Sequence, residues 1–357
     1  MEYHHGILFY RLNVSSRLTN VFIVSIISKN RKMIDGNLGQ NSAWSHTERR
    51  GIMAKYIAKR IGLAIVTCWL VATLTFFLMN LVPGGPFMAE KALTPQAQQA
   101  MMEKYGLDKP LPEQYTIYMG KVLHGDLGPS VKQRGRTVNS IIETKFPVSA
   151  KLGGISILIA VLVGVPLGSI AAFKRGKMTD NIIIIFSTCG IAVPSFVIST
   201  LLMYVLSFEL EWLPTYGLTS WRHYIMPVTA LALYPASYIS RLMRSSMLDV
   251  LGQDYMRTAR AKGVAWFFSV FKHALRNAIL PVVTYLGPLL AYTVTGSFIV
   301  EKIFTIPGLG SEFIGAITGR DYPLIMGTTI FLATLIITMN VVVDILYTII
   351  DPRIKLK

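Results

Sequence analysis

The chain alternates long apolar runs with short charged connections. A helix needs roughly 20 mostly apolar residues, and at least about 17, to cross a hydrocarbon core of about 30 Å. Six runs meet this requirement, at residues 61–82, 152–173, 181–208, 224–240, 279–300 and 324–350. The fourth is the shortest and contains Pro227 and Pro235, which membrane helices tolerate because neighbouring groups bond the freed carbonyls. The pattern predicts an all-α membrane protein with six transmembrane helices.

Lysine and arginine gather in alternate connections, which predicts the orientation of the spans, because short cytoplasmic loops carry the excess of these residues. The basic groups are Lys55, Lys59 and Arg60; Lys174, Arg175 and Lys177; seven residues from Arg241 to Arg276; and Arg353, Lys355 and Lys357. The connection 83–151 is also basic, but it is longer than the roughly 60 residues over which the rule is counted. Both termini are therefore expected in the cytoplasm.

Residues 1–52 differ from the rest of the chain. Their only apolar run, Val21–Ile27, is too short to span a membrane, and no small-residue cleavage site follows it, so no signal peptide is predicted. Met53 opens the sequence MAKYIAKR, a basic approach to the first span. We expect residues 53–357 to form the transmembrane domain, with 1–52 either a disordered cytoplasmic extension or sequence upstream of a natural start at Met53.

Composition agrees with the membrane assignment. Hydrophobic residues make up 52% of the chain and charged residues 15%, against roughly a quarter charged in soluble domains. The net charge of +16 would suggest nucleic acid in a soluble chain, but the basic residues lie between apolar runs, where membrane lipid accounts for them. Cys68 and Cys189 lie inside apolar runs and predict neither a disulfide nor a metal site. No nucleic-acid partner is expected.

The long connection after the first span is predicted to contain structure of its own. Thr94-Pro95 and the residues to Gly106 are typical of a capped helix, and Pro112 to Leu123 predicts a second helix that ends before HGDLG. Two interpretations stay open. The segment is either a helical flap over the outer mouth of the protein or a packed loop with no substrate contact.

A basic interval, DYMRTARAKGVAWFFSVFKHALRNAILP, separates the fourth and fifth spans at residues 254–281. Tyr255–Lys262 favours a helix, and Gly263 permits the left-handed conformation that ends one. The next residues form an apolar stripe of helical period, with Lys272, His273 and Arg276 largely off it: Val264, Phe267, Phe268, Phe271 and Leu275. Two helices that meet at a glycine are predicted, either lying on the membrane surface or docking into a groove of a cytoplasmic partner.

Residues 254–277, DYMRTARAKG…HALRN, resemble the cytoplasmic coupling loop of ATP-binding-cassette importer permeases, specifically the oligopeptide and dipeptide family. Further motifs of that family follow in order from residue 53 to residue 354: MAKYIAKRIG, LVPGGPF, YGLDKPLPEQY, HGDLGPS, SFIVEKIFTIPGLG, RDYPLIMG and DILYTIIDPRI. The resemblance implies the type I importer permease fold, with an extracellular helical loop and a cytoplasmic coupling helix.

Two positions depart from the general signature of such loops. Where that signature has Glu-Ala-Ala, three residues and glycine, this chain has Arg257, Thr258, Ala259 and then Gly263, and Leu275-Arg276 stands where a Leu-Pro pair is usual. Both departures are usual in the peptide branch of the family. They therefore argue against a sugar or phosphate permease more than against a coupling role.

The resemblance implies that the loop enters a cleft on a cytoplasmic ATPase subunit, with Ala259 and Gly263 allowing close backbone approach. The residues implied in this coupling contact are Asp254, Arg257, Thr258, Ala259, Arg260, Lys262, Gly263, His273 and Arg276. The implied partners are a homologous second permease, two cytoplasmic ATPase subunits and an external substrate-binding protein, in a bacterial or archaeal plasma membrane. Relatives of this subunit serve dipeptides, longer peptides, glutathione or nickel, so the cargo stays open.

The chain carries no catalytic motif of its own. It lacks the G-x-x-x-x-G-K-[ST] phosphate loop and the H-E-x-x-H metal motif. We therefore expect a transport subunit rather than an enzyme, with no cofactor or metal, and with ATP and magnesium bound by partner ATPases.

Asp344 is the one ionisable residue well inside a predicted span, and Asn340 lies one turn away on the same face. An intramembrane carboxylate suggests a proton or cation site, which an ion-coupled secondary transporter would need together with inverted repeats and further charges. No second charged residue is found inside a span, so a polar helix contact is favoured. Gly164 and Gly168, which flank Pro166, predict close helix packing rather than a gate.

Overall fold

The computed structural model describes residues 46–81, 108–265, 268–294 and 298–350, together with residues 96, 99 and 103. The side chains of residues 46–56 and of a few later helical positions, including Arg260, His273 and Asp344, lie outside this description. Apart from residues 96, 99 and 103, which are helical, the helix predicted from Thr94-Pro95 to Gly106 also lies outside it. The compact unit that holds the membrane helices is Ile57–Lys355.

The described residues are almost entirely helical, which confirms the all-α prediction. The α-helices in chain order are α1 His46–Leu81, α2 Leu111–Leu123, α3 Val138–Phe173, α4 Met178–Ala192, α5 Ser195–Leu202, α6 Arg222–Leu251, α7 Asp254–Ala261, α8 Arg276–Ala278, α9 Leu280–Val294, α10 Phe298–Ile303, α11 Leu309–Gly319 and α12 Tyr322–Ile350. Two π-helical segments, Met203–Glu209 and Ser269–Leu275, adjoin α5 and α8. Pro129 and Thr137 form an isolated antiparallel bridge.

Three described helices are each long and apolar enough to cross a membrane, namely Ile57–Leu81, Val138–Phe173 and Tyr322–Val343. They correspond to the first, second and sixth predicted spans. A fourth is added if the bent pair Met178–Ala192 and Ser195–Glu209 counts as one span. The total of six spans stays a prediction.

The third predicted span, 181–208, was wrong as a continuous helix. Its two halves meet at a bend of 101°. Val193 has extended backbone angles, and Pro194 precedes the first turn of α5. Proline has no amide hydrogen and disfavours the helical conformation in the residue before it, so the break falls at this pair.

The fourth predicted span differs from the observed helix in length, and the fifth is described only in part. Helix α6 continues past residue 240 and includes Arg241 and Arg244, which were assigned to the following loop. Within this extension Arg244 is paired with Asp180 at 2.7 Å. Helix α9 covers Leu280–Val294, and residues 295–297 of the fifth predicted span lie outside the described residues.

Helices α3 and α6 form the central pair of the fold, and glycine allows their close approach. A Cβ at Gly164 would lie 2.7 Å from the Ala236 carbonyl oxygen, and one at Gly168 would collide with the Ser240 carbonyl oxygen and lie 2.7 Å from Cβ of Met243. Close contact of this kind is how membrane helices gain packing energy. The packing role predicted for these two glycines is confirmed.

The segment before α3 is held by a buried carboxylate from the other end of the chain. Asp321 is 1% exposed, and it accepts hydrogen bonds from the Ser130 hydroxyl, from the Val131 amide at 3.2 Å and from the Lys132 amide at 3.2 Å. It also accepts from the Leu324 amide at 3.3 Å in the first turn of α12. The Asp321 side chain therefore joins residues 130–132, in the connection before α3, to the first turn of α12.

The second helix predicted in the outer connection is confirmed as α2. It packs on α1, where Thr73 Oγ1 lies 2.8 Å from the Tyr115 hydroxyl and the ring of Phe76 contacts those of Tyr115 and Tyr118. Helix α11 is fixed on α3 by the ion pair Lys145–Glu312 at 2.8 Å. Burial raises the pKa of the Glu312 carboxyl, but Lys145, Gln133 and Arg136 outweigh that effect and hold the pKa below its ordinary value.

Candidate functional site

The basic interval after α6 folds as two helices joined at a glycine, as predicted. Helix α7 covers Asp254–Ala261, and Gly263 has a φ of +73°. The Val264 amide bonds the Ala259 carbonyl at 3.2 Å, the long-range bond of a Schellman cap. No atom within 4 Å would obstruct a Cβ at Gly263, so within this chain the glycine is required by its backbone angle and not by crowding.

One side chain of α7 anchors the interval to the helix bundle. Met256 is 1% exposed and belongs to the same buried cluster as Met243 and Met247 of α6. Ala274 and Ala278, from the segment after the glycine, complete that cluster. The side-chain amide of Asn277 also donates to the Tyr255 hydroxyl at 3.0 Å, which links α7 to the segment after the glycine. The interval therefore shares a buried cluster with α6.

The second helix of the interval has a different register from the predicted one. It is π-helical over Ser269–Leu275, so its bonds run from residue i to i+5 and the side chains rotate away from a 3.6-residue period. Val270 and Ala274 face the core, whereas Phe268 and Phe271 of the predicted stripe are 56% and 53% exposed. The interval thus leaves two phenylalanines on its outer surface.

The residues expected at the coupling contact are mostly exposed. Arg257 and Asp254 keep 76% and 98% of their side-chain surface and lie 3.8 Å apart. The other described residues of the set are exposed or half-buried: Thr258, Ala259, Lys262, Gly263 and Arg276. The side chains of Arg260 and His273 lie outside the described residues. The described members therefore form one accessible polar surface along α7 and its joint.

A buried ion pair that the sequence did not indicate lies between α4 and α6. Asp180 is 1% exposed and accepts two hydrogen bonds from Arg244, Nε to Oδ1 and Nη2 to Oδ2, both at 2.7 Å. The Gly176 amide donates to the same carboxylate at 2.9 Å. The pair joins the first turn of α4 to α6, the helix that carries the interval. The one available signal was that both charges flank apolar runs on the predicted cytoplasmic side.

A second buried carboxylate escaped the sequence analysis because it directly follows an apolar run. Glu301 is fully buried, and its Oε2 accepts from the Ser311 amide at 3.1 Å at the start of α11. The neighbouring Leu309 amide bonds the Ser149 hydroxyl of α3 at 2.9 Å. These bonds fix α11 in place and therefore support its structure rather than a transport step.

The structure describes the side chain of Asn340 but not that of Asp344. Asn340 is half-buried in α12 and lines a cavity of about 380 Å³ together with Tyr238, Thr284 and Tyr285. The side chain of Asp344 lies outside the described residues, so its predicted polar contact stays a prediction. A neighbouring cavity of about 580 Å³ lies at the break between α4 and α5.

Comparison with known families defines the class of protein to which this arrangement belongs. Residues 164–356 match the family described as binding-protein-dependent transport system inner membrane component, and residues 53–152 match the N-terminal model of such membrane components. The chain belongs to this family of inner-membrane permeases. It is accordingly a multi-pass transport subunit and not an enzyme.

Individual relatives match the chain over most of its length. The dipeptide transport system permease protein DppB of Bacillus subtilis is 45% identical over 304 residues, which cover 85% of this chain and 99% of that protein. The oligopeptide transport system permease protein OppB of Haemophilus influenzae is 42% identical over 305 residues, 85% of this chain and all of that protein. These matches confirm the family recognised from the motifs.

Proposed function

We propose that this chain is the pore-forming permease subunit of an ATP-driven importer for dipeptides or longer oligopeptides. The observation that carries the proposal is the similarity to named dipeptide and oligopeptide permeases, at 45% and 42% identity over 85% of this chain. This similarity extends through the spans and the cytoplasmic interval, so it covers most of the permease chain rather than one motif.

The proposal includes the subunits with which the chain acts. A homologous second permease would complete the pore, two cytoplasmic ATPases would bind ATP and magnesium, and an external binding protein would deliver the cargo. This chain would hold no cofactor, since its sequence has no phosphate-binding loop. Residues 53–357 would form the permease domain, which agrees with family matches at 53–152 and 164–356.

In this proposal the interval 254–276 couples ATP hydrolysis to transport. ATP binding closes the two ATPases, and α7 moves with the ATPase on which it rests. Because Met256 packs on Met243 and Met247, the movement passes to α6, and from α6 to α3 across their glycine contact. The spans then change from inward-open to outward-open, and release of the products of ATP hydrolysis resets them.

The first experiment measures uptake of labelled di-, tri- and pentapeptides, and of nickel and glutathione, by cells with and without this chain. Each uptake is measured again with the ion gradient collapsed and ATP maintained. We expect deletion to abolish peptide uptake, and we expect the uptake by intact cells to survive gradient collapse.

Two outcomes would contradict parts of the proposal. A loss of nickel or glutathione uptake with peptide uptake unchanged would keep the importer and overturn the peptide cargo. Dependence of the lost uptake on the ion gradient would overturn the coupling role of residues 254–276 and favour an ion-coupled carrier that uses Asp344.

A further inference from the structure

Two cavities share Tyr285, the larger lined by the α4–α5 break, α6 and α9 and the smaller by α6, α9 and α12. The larger, of about 580 Å³, extends from Tyr285 to the break at Val193 and Pro194. The smaller, of about 380 Å³, extends from Tyr285 to Asn340. Tyr285 and Pro288 line both. Volumes of about 300–1,000 Å³ are typical of sites for small organic ligands, so each cavity has room for a short piece of peptide.

The walls of these cavities are mostly apolar, and the polar side chains among them are uncharged. Among the described lining residues, the polar side chains are Ser195, Tyr234, Tyr238, Thr284, Tyr285, Thr293 and Asn340, and none is Asp, Glu, Lys, Arg, His or Cys. A nickel site would need imidazole, thiolate or carboxylate ligands. A site selective for a charged small molecule would need an opposite charge, because a buried charge is costly when unpaired. The described walls meet neither requirement.

Proline adds backbone acceptors to the same walls. Pro235 lies inside α6 and Pro288 inside α9. A proline removes the amide that would bond the carbonyl four residues earlier, which here belongs to Leu231 and Thr284. Both of these residues line the cavities. The lining residues therefore include two whose carbonyls lack their helical amide partner, together with hydroxyls and one carboxamide.

The tyrosines form an aromatic row along this surface. The rings of Tyr238 and Tyr285 stack at 4.2 Å between centroids, and those of Tyr234 and Tyr238 are 6.5 Å apart. Tyr234 and Tyr238 are 44% and 37% exposed. The hydroxyl groups of Tyr234 and Tyr285 also hydrogen-bond each other, so the row places phenol groups along the cavity wall.

We propose that the two cavities form a transit site that holds the transported peptide through its main chain. This rests on the function proposed above and deepens it. Peptide amides donate to the freed carbonyls and to the Asn340 oxygen, and peptide carbonyls accept from the tyrosine and threonine hydroxyls. These groups replace the water that the main chain loses on entry. Because the described walls carry no charge, they do not distinguish lysine from glutamate side chains, and the site is specific for the peptide bond.

The test uses the full transporter in proteoliposomes, with the binding protein and ATP. Tyr285→Phe and Asn340→Leu each remove hydrogen-bonding groups from the cavity wall. Tyr204→Phe is the matched control, since Tyr204 lies in the π-helical part of the bent pair, is 53% exposed and does not line either cavity. The cargoes are trialanine, trialanine with an N-methylated central amide, and tripeptides with a central lysine or glutamate.

We expect Tyr285→Phe and Asn340→Leu to lower kcat for trialanine by about three- to tenfold, the effect of one lost hydrogen bond, with KM unchanged. Lysine- and glutamate-containing peptides should be affected equally, the N-methylated peptide less, and Tyr204→Phe should transport normally. Unchanged kcat in both variants, or an effect on only one charge class of peptide, would overturn the transit site. If the unaltered transporter moves no peptide, the proposed function itself fails.

A second measurement separates a transit site from a surface covered by the other permease. In a background with Cys68→Ser and Cys189→Ser, Tyr234→Cys should react during turnover with a tripeptide that carries a bromoacetylated lysine, and Tyr204→Cys should not. Absence of this reaction, or loss of the second permease from Tyr285→Phe complexes during purification, would overturn the proposal.

Discussion

At the scale of single residues, the ion pair between Asp180 and Arg244 is the most informative feature, because it holds two charges at the edge of an apolar bundle. Its carboxylate is 2% exposed and its guanidinium 25%. Bidentate geometry and the Gly176 amide satisfy the carboxylate, and a satisfied buried pair is tolerated where a single buried charge is not. The pair therefore determines how α4 sits against α6.

Asp180→Asn should weaken the fold because it leaves Arg244 without its counter-charge. Removal of one member of a buried pair is typically destabilising by about 3–5 kcal/mol, which predicts a fall of roughly 5–10 °C in the unfolding midpoint. Tryptophan fluorescence of the purified complex during heating measures this. The double variant Asp180→Leu with Arg244→Met should recover most of the loss, since apolar replacement of both partners is often neutral. An unchanged midpoint in Asp180→Asn would show that the pair does not stabilise the fold.

At the scale of secondary structure, the joint between α7 and the following π-helix was the best predicted element. Helix formers before Gly263 and the glycine itself specified the end of α7, because the left-handed backbone angle excludes most other residues. The π-helical segment was not predictable. Its hydrogen bonds join residues five apart instead of four, and a pattern of apolar residues with a 3.6-residue period does not reveal this change. The bend at Val193 and Pro194 was recognisable in the sequence as a proline, but tertiary packing determines its angle.

Substitutions at Gly263 separate its backbone role from the predicted close approach of an ATPase. Gly263→Ala places a side chain in a left-handed conformation, unfavourable by about 1–2 kcal/mol, and should lower transport per ATP hydrolysed. Gly263→Asn keeps the cap, because asparagine adopts this conformation more readily, but adds bulk. Coupling is measured as peptide moved per ATP in proteoliposomes.

If Gly263→Asn also moves less peptide per ATP, the glycine is needed for close approach of the ATPase. If Gly263→Asn moves a normal amount of peptide per ATP, the glycine is needed only to cap α7. Gly252→Ala is the control, since Gly252 has a φ of −80° and ends α6 in the same region. A normal ratio in Gly263→Ala would show that neither role matters for coupling.

At the scale of the whole molecule, apolar length predicted the spans at both ends of the bundle, because α1, α3 and α12 are long and uninterrupted. It failed where a proline or an arginine intervenes. The fourth predicted span ended before Arg241, although its helix continues to Leu251. The coupling surface was located by its resemblance to a family, whereas the cavities beside Tyr285 were not foreseen, because they depend on three helices distant in sequence.

The proposed orientation, with both termini in the cytoplasm, can be tested with two exposed positions. Arg175 lies in the basic turn after α3, and Tyr216, 59% exposed, lies in the connection before α6. In a chain with Cys68→Ser and Cys189→Ser, a membrane-impermeant maleimide added to intact cells should label Tyr216→Cys, and Arg175→Cys only after lysis. The opposite labelling would invert the orientation, and labelling of both in intact cells would contradict this topology.

The bonds that Asp321 makes to residues 130–132 also impose an order on biogenesis. Ser130 and Asp321 are separated by 191 positions, and at about 5–20 residues per second of synthesis the acceptor emerges about 10–40 s after its donors. During that interval the segment before α3 lacks the side chain that closes it. This segment must therefore wait for α12, and a ribosome that stalls before residue 321 releases a chain in which the segment is open to proteases. Proteolysis of that segment would thus mark incomplete chains for removal.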